Sequence, residues 1–116
     1  MGRIQLKRVY EPVEESDGLR VLVERLWPRG IAKEKASLDH WLKAVSPSPE
    51  LRRWYGHDPE KWPEFQERYA AELRQHEDAL ETLRDWISQG DVTLVYSARD
   101  EERNSALLLK KFLDGA

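Results

Sequence analysis

"DVTLVYSARDEERNSALLLKKF", residues 91–112, carries the transition on which the fold turns. Val92, Thr93, Leu94, Val95 and Tyr96 form an unbroken row of β-branched, aliphatic and aromatic residues. A strand drawn through 91–97 is therefore apolar on both faces, as a strand buried in a parallel sheet must be. After a short polar interval, Ser105, Leu108, Leu109 and Phe112 recur along one side of a helix, with Asp100 as its expected cap. A doubly buried strand running into a helix is half of a βαβ unit.

A second strand of the same kind lies upstream. In "LRVLVERL", residues 19–26, Val21, Val23 and Arg25 share one face and Leu22, Glu24 and Leu26 the other. Pro28, which has no N–H for a ladder, is expected to end it. A first strand over 4–10 alternates loosely, and its long charged residues suit a sheet edge. Asp17-Gly18 marks the turn between the two.

The interval between the second strand and 91–97 reads as helices. Ser37 is expected to cap a short one through Leu38, Trp41 and Leu42. Ser48-Pro49 is an N-cap followed by a first helical residue, with Leu51, Trp54 and Tyr55 behind and Gly56 closing the helix. Asp58-Pro59 repeats the signal, although Pro63 delays the regular helix to 60–63. Trp62, Phe65, Tyr69 and Leu73 then mark an amphipathic helix, and Leu80, Leu83 and Ile87 carry the period on to Gly90 after a break at 75–77. Strands separated by so much helix must be parallel. The expectation is one small α/β domain over 1–116. Its mainly parallel sheet has three strands or more, helices pack on it, and a helical insertion separates strands two and three.

Composition narrows the functions. Cysteine is absent, which removes disulfides, thiolate metal sites and cysteine nucleophiles and suits the cytoplasm. No apolar run approaches a membrane span, so no membrane partner is expected. His40, His57 and His76 lack ligand spacing, so no metal site is expected, and no cofactor is evident. The net charge of −3 disfavours sequence-independent nucleic-acid binding. Charge is nevertheless polarised: residues 25–35 hold Arg25, Arg29, Lys33 and Lys35 against Glu34, whereas 58–85 carry nine acids against four bases.

Ligands of open α/β sheets collect at the carboxyl ends of the strands. Here those ends are Arg25-Leu26-Trp27-Pro28-Arg29 and Ser97-Ala98-Arg99-Asp100, with Asn104 in the first turn of the following helix. Arg25, Arg29 and Arg99 are charged donors, Ser97 and Asn104 neutral ones, and Trp27 an aromatic wall or cation–π partner. Together they suit a small ligand bearing phosphate or carboxylate, nucleotide-like ligands included. The same arginines also suit structural ion pairs that fix the loop, for example with Asp39. His57 beside Asp58 is a weak candidate base; its plainer role is a loop residue packing on Trp54 or Trp62. Trp41, Trp54, Trp62 and Trp86 fall at apolar helical phases and are expected in the core. Two other classes remain: nucleic-acid binding or regulation through Arg25, Arg29, Lys33, Lys35, Arg52 and Arg53, and a protein-interaction module using the acidic helix. Whether the chain is an enzyme stays open.

"DGLRVLVERLWPRG", "WLKAVSPSPELRRWYGHDPEKWPEFQERYAAEL" and "VTLVYSARDEERNSALLL" together resemble the YeaO-like branch of domain-of-unknown-function family 488. The likeness runs over nearly the whole chain. It implies a small α/β fold and a bacterial or archaeal cytoplasmic protein, and it implies no activity. The family's usual aspartate in the second motif is Glu24 here, an acid longer by one methylene. Larger relatives resemble one another in a cysteine-histidine-arginine motif opening the last helix, near Arg103-Asn104 of this chain; without a thiol, chemistry that depends on it does not carry over.

Overall fold

A computed structural model describes residues 2–115. Its elements are β1 (Ile4–Arg8), β2 (Leu19–Leu22), α1 (Lys33–Ala36), β3 (His40–Trp41), α2 (Pro49–Tyr55), α3 (Trp62–Leu73), α4 (Glu77–Gln89), β4 (Val92–Tyr96) and α5 (Ser105–Leu113). The sheet order is β1-β4-β2-β3 and every pairing is parallel. The α/β class, the parallel sheet and the helical insertion agree with expectation. The sheet has a fourth strand, and β1 is indeed at an edge.

β4 is the central strand, and all its residues are buried. On one face Val92, Leu94 and Tyr96 join Val21 and Val23 against Leu51 of α2, Phe65, Tyr69 and Leu73 of α3, Leu80 and Leu83 of α4, and Leu109 of α5. The helix breaks are local events. Ser48 Oγ accepts the Leu51 amide at the start of α2, and Gly56 closes it in the left-handed region at φ 52°. Asp58 caps a 3-10 turn over Pro59–Lys61, so α3 starts only at Trp62.

Two expectations fail in the same region. Ser37 does not open a helix; it ends α1, at φ 46°. The residues after it join the sheet, since the Asp39 amide bonds the Arg20 carbonyl at 2.8 Å and the Leu42 amide bonds that of Leu22 at 2.9 Å. The free edge of β2 supplied ladder partners, and tertiary pairing overrode the helical pattern. Trp41 is consequently on the edge strand and 37% exposed, not in the core. β2 also stops before Pro28. Val23 still bonds Val95 at 3.1 Å, but the Glu24 carbonyl accepts the Trp41 indole N–H at 2.6 Å and the chain leaves the ladder there.

Among the described residues, the second sheet face carries no long helix. Leu22, Val95, Val9 and Ala36 make a small apolar cluster, covered by Trp27, Ile31 and Leu38. Beside it runs a polar row, Gln5, Thr93 and Arg20, in register across β1, β4 and β2. Arg20 is only 3% exposed, and its guanidinium bonds Asp17 at 2.5 Å, the Ala36 carbonyl at 2.9 Å and the Ser37 carbonyl at 3.1 Å. Lys7 reaches Asp17 and Glu14, both at 2.7 Å. Burial works against the Asp17 charge, yet bonds from Lys7, the Glu14 amide and Arg20 outweigh it and hold the carboxyl below its usual range.

Breaking a buried pair by removing one partner strands the other charge. Arg20→Met should lower the unfolding free energy by about 3 kcal/mol in urea at neutral pH. The stabilisation from a depressed carboxyl is complete above its unfolded pKa of about 4 and disappears as pH falls through the lower folded value. Asp17→Asn should therefore cost markedly at pH 7 and little near pH 2, read from paired urea titrations.

Candidate functional site

Because β2 and β4 are parallel, the chain leaves both at one rim. The residues that follow line a cavity of about 540 Å³. It is bounded by Glu24 and Arg25 after β2, by Ser46 and Pro47, by Arg52 and Tyr55 of α2, by His57, by Trp62 and Phe65 of α3, and by residues 98–100 and 103–105, which lead into the start of α5.

Arg25 is positioned through the loop before α2. Its guanidinium donates to the Pro47 carbonyl at 3.3 Å and to the Ser46 carbonyl at 3.4 Å. That loop is held by α3: the Glu72 carboxylate accepts the Ser48 amide at 2.9 Å and the Ser48 hydroxyl at 2.5 Å, and the buried Tyr69 hydroxyl donates to the Val45 carbonyl. Burial pushes the Tyr69 hydroxyl pKa well up, so it stays a donor. Tyr69 and Glu72 thus fix Arg25 at one remove. The helical period of α3 places Tyr69 on its inner face but does not single out Glu72, and nothing in their spacing points to the loop they clamp.

The opposite wall follows β4. Arg8, ending β1, holds the Ala98 carbonyl at 2.9 Å. The Asp100 carboxylate accepts the Glu102 and Arg103 amides, both at 2.9 Å, and Arg103 Nε at 3.2 Å. Those amide bonds, with the nearby guanidinium, keep the carboxyl low. Asp100 therefore caps a turn of its own. The N-cap of α5 is Asn104, whose side-chain oxygen accepts the Leu107 amide at 2.8 Å while its Nδ2 donates to the Asp100 carbonyl at 3.0 Å.

Of the expected ligand-binding residues, the structure brings Arg25, Arg99 and Asn104 to the cavity, together with His57. Trp27, Arg29 and Ser97 do not line it. Trp27 packs on the second sheet face, with its indole N–H on the Ile31 carbonyl at 2.7 Å and its ring edge-on to Trp41. Arg29 is exposed, and its carbonyl accepts the Tyr10 hydroxyl at 3.1 Å. Ser97 faces Glu24 through its amide. No acid lies within ion-pair distance of Arg25 or Arg29 among the described residues. Arg25 holds a loop, through carbonyls and not through the ion pair with Asp39. His57 stands in the left-handed region at φ 58°, exposed, with Tyr55 as its aromatic neighbour at 6.2 Å, not Trp54 or Trp62. Asp58 is spent on the Glu60 amide.

The sequence marks Arg52 as a candidate nucleic-acid contact and Trp62 and Phe65 as the apolar face of α3, but it assigns none of these lining residues to this rim. Tyr55, Trp62 and Phe65 form one aromatic wall, with centroid distances of 4.7–5.8 Å. Arg52 and Arg103 add to the guanidiniums. Glu24 is half-buried, and desolvation raises its pKa despite the Ser97 amide bond and the opposing field of Arg52. The run of charge in "ELRRWYGH" was visible, but its meeting with 98–105 depends on where α2 packs. Among the described residues no His, Cys, Asp or Glu cluster is arranged to hold a metal ion, and no helix is long and apolar enough to cross a membrane.

A family profile described as "Inactive DUF488-N3 subclade" matches residues 3–116. The chain belongs to this DUF488 family. It is similar to the uncharacterized protein YeaO of Escherichia coli, 47% identical over 110 residues, which covers 95% of this chain and 96% of that one. The uncharacterized proteins Rv3073c of Mycobacterium tuberculosis and Mb3100c of Mycobacterium bovis are each 44% identical over 114 residues, covering 97% of this chain and 95% of theirs. No solved structure matches the chain.

The electrostatics of this DUF488 cavity give a direct check. Carbon-detected NMR should show Glu24 titrating above the exposed glutamates. Arg52→Ala removes a positive charge that favours the carboxylate, so it should move the Glu24 midpoint higher still.

Proposed function

We propose that the chain binds a small anionic ligand, bearing phosphate or carboxylate, in the cavity at the carboxyl ends of β2 and β4. The observation that carries this reading is the charge of the lining: Arg25, Arg52, Arg99 and Arg103 against Glu24 and Asp100, in a chain whose net charge is −3. Among the described residues, only Arg103 of these arginines pairs with an acid, Asp100. Arg52 and Arg99 are exposed, with guanidiniums that neither an acid nor a carbonyl engages among the described residues. A concave site with convergent cationic donors and an apolar wall is the ordinary form of a small-molecule pocket. Guanidinium forks suit carboxylate and phosphate geometry.

The reading is one of binding without catalysis. His57, the weak candidate base, has no side-chain partner among the described residues of the kind that orients an activated base. The subclade's description as inactive agrees with this reading. The cytoplasm, where small phosphorylated metabolites are held, is the setting proposed with it. Nucleotide-like anions belong to the same ligand class.

Calorimetry with inorganic phosphate and simple aryl phosphates tests the site. Arg52→Ala and Arg99→Ala should each weaken binding about tenfold, the worth of one charge-assisted hydrogen bond. Arg29→Ala, outside the cavity, should leave it within about twofold. Equal loss in all three variants would indicate bulk electrostatics, and absence of binding to any of these anions would remove the reading.

A further inference from the structure

Glu24 is the group that an anion site leaves unexplained. Its carboxylate stands in a cavity lined by four guanidiniums and forms an ion pair with none of them among the described residues. Oε2 accepts a long bond from the Ser97 amide at 3.4 Å, and the Ser97 side chain adds a weaker interaction that favours the charged carboxyl. Oε1 has no partner among the described residues. Every fully buried side-chain oxygen described here has one, so the unpartnered Oε1 is accessible, and Glu24 is a residue of the cavity lining. The other acid of the lining, Asp100, is already engaged by the Glu102 and Arg103 amides and by Arg103 Nε. A partly desolvated carboxylate with an accessible oxygen is a strong acceptor for a ligand N–H.

The same acid bears on any anion that enters. A ligand offering only negative charge and carbon would set that charge near Glu24 without compensation. A ligand that also offers an N–H would turn the repulsion into a charge-assisted hydrogen bond. Such an acid selects among anions by penalising those without a donor. The aromatic wall of Tyr55, Trp62 and Phe65 supplies the third element, a flat apolar surface beside the acid and the guanidiniums.

We propose that Glu24 is the specificity-determining acceptor of this cavity, and that its ligand class is an aromatic anion carrying an N–H donor. The anionic group meets Arg52 and Arg99, the ring meets the aromatic wall, and the N–H meets Glu24 Oε1. The proposal rests on the anion-binding reading above and narrows its ligand class.

A matched series separates the two. Isothermal titration at pH 7 would use inorganic phosphate, phenyl phosphate and 4-aminophenyl phosphate with the full chain. The wild type should bind 4-aminophenyl phosphate about tenfold more tightly than phenyl phosphate, the contribution of one hydrogen bond to a charged acceptor. That preference should shrink in Glu24→Gln and vanish in Glu24→Met, while both variants bind phenyl phosphate at least as well as the wild type. Retained phenyl phosphate binding also shows that the variants are folded. Equal binding of the two aryl phosphates by the wild type, or an undiminished preference in both variants, overturns the role of Glu24 and leaves the anion site standing. Loss of phenyl phosphate binding in both variants overturns it too, since Glu24 would then be structural. If no member of the series binds the wild type, the anion site and this inference fall together.

Discussion

The parallel pairing of β2 with β4 is the constraint from which the rest follows. Leu19 to Leu22 run in register with Val92 to Val95, and parallel neighbours cannot be joined by a tight turn. The chain between them has to travel back along the sheet, and α2, α3 and α4 are that return path. Packing them on one face fills the main core and also carries α2 and the start of α3 to the strand ends. Had the pair been antiparallel, Glu24 and Ala98 would lie at opposite ends of the sheet. Gly18 permits the pairing to begin: at φ 63°, a Cβ there would stand 2.3 Å from the Asp91 carbonyl oxygen.

Arginine meets opposite treatment at the two ends of the same sheet. Arg20 is sealed on the second face, each of its three guanidinium nitrogens donating to Asp17 or to a carbonyl of residues 36–37. Its burial is tolerable because no nitrogen of the group is left without a partner. At the other end Arg52 and Arg99 are left in solvent around a concavity, beside a glutamate with an unused oxygen. The first arrangement spends its charges on the fold; the second leaves them available. A residue count treats both alike.

The legible part of the fold was the part governed by local rules. The all-buried β4, the cap at Ser48, the stop at Gly56 and the delayed start of α3 each depend on a few adjacent residues. The stretch 37–42 was misread because its partner, the edge of β2, lies elsewhere in the chain. The strand exit misled in a related way. Arg25, Trp27 and Arg29 are neighbours in sequence, yet the chain turns off the sheet at Glu24. Arg25 then faces the cavity, Trp27 covers the second face, and Arg29 points to solvent.

By itself the sequence determined the class of this protein. Runs apolar on both faces require a parallel sheet, and the long helical interval between them requires a crossover, so the rim where a site would form followed from pattern alone. Only the tertiary structure decided which side chains meet there. Tyr55, Trp62, Phe65 and Arg52 come from the crossover, and Glu24, partly desolvated, joins them in the cavity lining. Periodicity records which face of an element is buried; it does not record which other element buries it, and that choice made the cavity.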